Sequence, residues 1–105
     1  MTTIDHAVEL MREECLKSDR VALWELFDVR VLGPTLRGVE PPAYDAMVAK
    51  TGAASPLQLS NLLVTGKRMF VRILRGVISE YARDESEIEE ELRDLKSILS
   101  RAQPV

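Results

Sequence analysis

Apolar positions along this chain recur at helical steps. No segment alternates apolar and polar residues long enough to make a strand. Ile4, Val8, Met11 and Cys15 are spaced four, three and four apart, which places them on one face of a first helix. Asp19 precedes a second apolar group, Leu23, Trp24, Phe27 and Val31, and is the expected cap of a second helix. That helix is expected to stop at Gly33-Pro34, because glycine accepts a left-handed end and proline cannot extend the ladder. The stretch TLRGVEPP then reads as a connector.

A short third helix is expected from Pro42, with Tyr44, Met47 and Val48 inward and Gly52 as its stop. Only Ala53 and Ala54 separate Gly52 from Ser55-Pro56-Leu57-Gln58, a strong helix start with a serine cap and proline in the first position. Two helices joined by a few residues containing glycine have the sequence form of a helix-turn-helix, a pairing also found in helical proteins that bind no DNA. The fourth helix is expected to run from Pro56 to Ala82. At about 100° per residue, Leu59, Leu62, Leu63, Gly66, Met69, Phe70, Ile73, Leu74 and Val77 share one broad face. Asn61, Thr65, Arg68, Arg72 and Arg75 lie opposite. A fifth helix starts at Asp84, whose side chain and Glu87 form a variant of the capping box. Its narrow seam of Ile88, Leu92, Leu95 and Leu99 either packs back on the domain or meets a partner helix, with packing in cis favoured because the seam is under two heptads long.

The pattern predicts an all-α fold, a small bundle of about five helices containing a helix-turn-helix. With 105 residues the chain is one domain: an N-terminal helical pair (1–40), the helix-turn-helix with its long second helix (41–83) and an acidic C-terminal helix (84–100). Hydrophobic content of 46% and charged content of 30% suit a globular domain. The single Cys15 allows no internal disulfide, no apolar run is long enough to span a bilayer, and the expected setting is cytoplasmic.

Charge changes the picture once it is divided along the chain. The formal total is only -3. Residues 56–83, however, hold five bases, Lys67, Arg68, Arg72, Arg75 and Arg83, against the single acid Glu80. Residues 84–105 hold seven acids against three bases. A basic centre therefore sits beside an acidic end. The ordinary reading of the polar stripe is a solvated back face. The functional reading rests on its single sign, on the lack of a nearby acid for i,i+4 pairing, and on its position after the turn, where a recognition helix begins.

Enzyme chemistry finds little support. His6 and Cys15 match no metal-ligand spacing or nucleophile motif. The run DESEIEEE lacks the Glu-x-x-His spacing of helix-bundle iron sites. TGKR lacks the first glycine and the hydroxyl residue of a phosphate loop. No catalytic residue, metal or cofactor is expected, and the chain reads as a non-enzyme.

In order, ALWELF, PPAYDAMVAKTG, SPLQLSNLLVTGKRMFVRILRGVI and DESEIEEELRDLKSIL resemble the C-terminal, promoter-reading domain of bacterial sigma factors of the extracytoplasmic-function type, in a planctomycete-like subgroup. The likeness covers about residues 20–100. The resemblance implies a transcription module that binds double-stranded promoter DNA while docked on the RNA polymerase core, as a monomer or weak homodimer. An anti-sigma protein is a further partner, and no membrane is involved. In that family the domain follows a separate core-binding domain, so the chain is expected to be either a fragment or a stand-alone relative.

The expected DNA-binding residues are Ser55, Gln58, Ser60, Asn61, Thr65, Lys67, Arg68, Arg72 and Arg75, with Ile88, Leu92, Leu95 and Leu99 as a partner-interaction seam. Where the family commonly carries Lys or Arg early in the recognition helix, this chain has Gln58, Ser60, Asn61 and Thr65. Such side chains hydrogen-bond bases or phosphates but release no counterions, so the salt-dependent part of affinity falls to Lys67, Arg68, Arg72 and Arg75. The alternative reading is a protein-interaction module of the same fold, without DNA binding of its own.

Overall fold

The computed structural model describes residues 2–52 and 55–101, and among them there is no strand. The helices are α1 (Thr3–Lys17), α2 (Val21–Phe27), a π-helix (Asp28–Arg37), α3 (Tyr44–Thr51), α4 (Pro56–Ser79) and α5 (Glu85–Arg101). The all-α bundle expected from the periodicity is the observed fold. Ala53 and Ala54 of the expected turn lie outside the described residues.

Local chemistry explains the starts of three helices. Thr2 and Asp5 form a reciprocal capping box on α1, with the Asp5 amide donating to Thr2 Oγ1 at 3.1 Å and the Thr2 amide to Asp5 Oδ2 at 3.4 Å. Ser55 Oγ accepts from the Gln58 amide at 3.2 Å at the start of α4, where Pro56 costs no helical hydrogen bond. Asp84 Oδ1 accepts from the Glu87 amide at 2.9 Å and starts α5.

Three expected boundaries in the first half of the chain are corrected. Asp19 does not cap α2. It takes a left-handed φ of 59° and ends α1, and the Arg20 amide reaches back to the Cys15 carbonyl at 2.7 Å, as a residue just past a helix end does. Gly33-Pro34 does not stop the second helical segment either. The chain widens into a π-helix that carries Pro34 within it and ends at Gly38, at φ 65°. A proline ring collides with the carbonyl four residues back in an α-helix, and a wider turn relieves that collision. Arg37 stabilises the widened segment, donating to Asp28 Oδ1 at 3.0 Å and to the Asp28 carbonyl at 3.2 Å. A Cβ on Gly33 would lie 3.3 Å from Arg37 Nη2, so glycine there leaves room for the bridge. Pro42, finally, stays outside α3. Its carbonyl accepts from Arg30 Nη1 at 2.6 Å, and the same guanidinium lies 4.3 Å from the centre of the Tyr44 ring. This clamp fixes the entry to α3.

Helix α4 is central and touches α1, α2, α3 and α5. Its Leu59, Leu63, Gly66, Met69, Phe70, Ile73, Leu74, Val77 and Ile78 are buried. They meet Ala7, Met11 and Cys15 of α1, Leu23, Leu26 and Phe27 of α2, Met47 of α3 and Leu92 of α5 in one core. The rings of Phe27 and Phe70 are 5.1 Å apart and tilted by 46°. Helix α4 ends at Ser79 rather than Ala82, and Glu80 to Arg83 turn the chain into α5.

The two mid-helix glycines of α4 have opposite surroundings. A Cβ on Gly66 would lie 3.2 Å from Phe27 Cδ1 and 3.3 Å from Leu23 Cδ1, whereas one on Gly76 would meet nothing within 4 Å. Gly66→Val should therefore lower stability by about 1–3 kcal/mol through overpacking. Gly76→Ala should raise it by ~0.5–1 kcal/mol through helix propensity. Urea unfolding followed by circular dichroism checks both signs.

Candidate nucleic-acid interface

The candidate surface is built on α3 and α4. Gly52 ends α3 with φ 75°, a left-handed conformation that glycine adopts without a steric penalty, and α3 packs on α4 and α2 through the buried Met47. Because the apolar face of α4 is fixed against the core, its opposite arc must face solvent. Gln58, Asn61, Thr65, Lys67, Arg68 and Arg72 are exposed there, while Ser60 and Arg75 are half-buried. Ser55 is half-buried at the cap with its hydroxyl accepting from the helix. Thr65 Oγ1 donates to the Asn61 backbone carbonyl at 3.2 Å, and Asn61 is exposed.

These residues do not form one basic face. At about 100° per residue, Arg68 and Arg72 fall close to the Asn61 and Thr65 directions, whereas Lys67 lies on the flank beside Ser60. The expected lack of an acid for i,i+4 pairing holds along α4, yet two of its cations are paired across helices. Arg72 pairs with Glu14 of α1 at 2.5 Å, and Arg75 pairs with both Glu85 and Glu89 of α5. No acid lies four residues along α4, so the partners come from other helices that tertiary packing brings alongside. Among the described residues Lys67 and Arg68 make no ion pair. Exposed pairs contribute about 0.2–1 kcal/mol each and weaken with salt. Their main effect here is to decide which cations remain available.

The seam of α5 is turned inward. Leu92 is 5% exposed, and Ile88 and Leu95 pack against the core, so apolar burial already uses them within the chain. The Leu99 side chain lies outside the described residues. Solvent-exposed apolar side chains occur instead on α4 itself, at Leu57 (70% exposed) and Val64 (46%). They adjoin Asn61 and Arg68 and were not picked out from the sequence.

Arg20 was missed as well. The left-handed turn at Asp19 carries it to the flank of α4, where it shares a groove with Arg68 and Arg72. Local sequence holds no signal for this, because the three residues come from distant parts of the chain.

Cys15 is fully buried, and its Sγ lies 3.8 Å from Met69 Sδ. Burial, reinforced by the Glu14 carboxylate and opposed by Arg20, pushes the thiol above its ordinary value. Among the described residues no three metal-ligating side chains gather, and no helix is long and apolar enough to cross a membrane.

No family model, no curated protein and no solved structure matches this chain.

A raised thiol value means that the folded state holds the proton to higher pH than the unfolded state. The resulting stability is fully present below the ordinary thiol value and is lost as pH rises through the folded one. The urea midpoint should fall as pH passes about 8.5, and Cys15→Ala should flatten that part of the profile. Ellman's reagent should react slowly with the folded protein and quickly in denaturant.

Proposed function

We propose that this chain is a DNA-binding transcription module whose helix α4 enters the major groove of duplex DNA by its N-terminal turns. The observation that carries the reading is the exposed polar arc of α4 directly after the Gly52 turn, with Arg68 unpaired among the described residues. Gln58 and Asn61 are the side chains for base edges, since Asn and Gln can pair with adenine there. Lys67 and Arg68 take backbone phosphates. With Arg72 and Arg75 held by carboxylates, few phosphate contacts remain, and an isolated domain should bind weakly. Docking on RNA polymerase supplies the remainder through effective concentration, the arrangement implied by the likeness to sigma-factor promoter-reading domains.

A second reading is favoured by Leu57 and Val64, which offer apolar contact area beside the polar arc. In it α4 meets a protein surface, either an anti-sigma protein, the polymerase or a second copy. Apolar contact with thymine methyl groups would also use them, so their exposure does not exclude the DNA reading.

Titration of a labelled mixed-sequence duplex at several salt concentrations tests the assignment. Affinity should fall steeply with salt. Arg68→Ala should weaken binding about eightfold at 0.1 M salt and reduce the salt slope by about one, as expected for one lost phosphate contact. Binding that ignores both salt and Arg68→Ala would defeat the DNA reading. A dimer in light scattering that Leu57→Asp dissolves would then support the second.

A further inference from the structure

Where the α1–α2 corner meets the middle of α4, an open groove of about 530 Å³ is lined by Met69 and the polar residues Glu14, Ser18, Arg20, Thr65, Arg68 and Arg72. Three guanidinium groups thus border one carboxylate. Glu14 already pairs with Arg72, whereas among the described residues Arg20 and Arg68 make no ion pair. The two hydroxyls are engaged as donors, Ser18 to the Glu14 carbonyl at 2.8 Å and Thr65 to the Asn61 carbonyl at 3.2 Å. The groove's free donors are therefore the guanidiniums of Arg20 and Arg68. Arginine at a shared groove suits an oxyanion, because its planar fork donates two parallel hydrogen bonds and is weakly hydrated.

We propose that this groove binds phosphate. Arg20 and Arg68 grip the anion, and Glu14 acts as a competing carboxylate that yields Arg72 to it. Each phosphodiester offers two charged oxygens, as a carboxylate does, so two or more linked phosphates together can serve three guanidiniums where Glu14 alone cannot. The groove is open and larger than one tetrahedral anion requires, so a run of linked phosphates fits it better than a lone ion. The assignment rests on the DNA reading for the source of that phosphate, a backbone phosphodiester beside the α4 contact. It adds a second anchor from the α1–α2 corner, outside the helix-turn-helix.

The full chain is titrated with the same duplex and, separately, with inorganic phosphate, following the Arg20 and Arg68 side-chain Nε–H signals by NMR. Arg20 is exposed and its side chain makes no capping bond, so circular dichroism should show Arg20→Ala folded. Arg20→Ala should weaken duplex binding about eightfold at 0.1 M salt and lower the slope by about one, and Glu14→Gln should strengthen binding by about the same factor. Arg83→Ala, which does not line the groove and pairs with Glu87 of α5, serves as the control and should change neither as much. An unchanged affinity and slope for Arg20→Ala, with Arg68→Ala still weakened, would overturn the groove and leave the DNA reading standing. Inorganic phosphate that shifts both arginine signals without any duplex binding would support the groove and remove the DNA reading. Silence toward both ligands would overturn both.

Discussion

The packing of one apolar face of α4 against four other helices is the constraint on which the rest depends. Leu59, Phe70, Leu74 and Ile78 are almost wholly withdrawn from solvent along that face. Full burial of a large apolar side chain is worth roughly 1.5–3 kcal/mol, and four along one helix outweigh any exposed charge pair on the same helix. The close approach of Gly66 to Phe27 sets the rotation of α4 at its midpoint. With the rotation fixed, Asn61, Arg68 and Arg72 have only one direction left to face. The candidate interface is therefore a consequence of how the core is filled.

Electrostatics then refine that surface without changing its orientation. Helix α5 takes Arg75 with two carboxylates and α1 takes Arg72 with one. The acids of the outer helices thus trim the basic arc from both sides. An acidic chain with a basic segment can keep that segment in water in this way without offering an unshielded cationic surface to every polyanion. What remains is a narrow, weakly charged strip in which hydrogen-bonding residues outnumber free cations. On the proposed DNA reading, such a strip leaves affinity to depend on a docking partner.

Much of the architecture could be read from residues a few positions apart. The Ser55-Pro56 start of α4, the stop at Gly52 and the Asp84 cap each depend on one local hydrogen bond or one backbone angle, and each is observed. Where local rules had two solutions, the sequence misled. Asp19 is as well suited to a left-handed helix end as to a helix cap, and Gly33-Pro34 can be passed by widening the turn as well as by ending it.

By itself, then, the sequence determined the helical class, the apolar face of α4 and the capped turn before it, because periodicity and capping act within one or two turns of chain. Only the tertiary structure settled which cations of α4 stay free and that Arg20 stands beside Arg68. Charge pairing acts through space. Arg72 and Glu14, 58 residues apart in the chain, become partners only once α1 lies along α4.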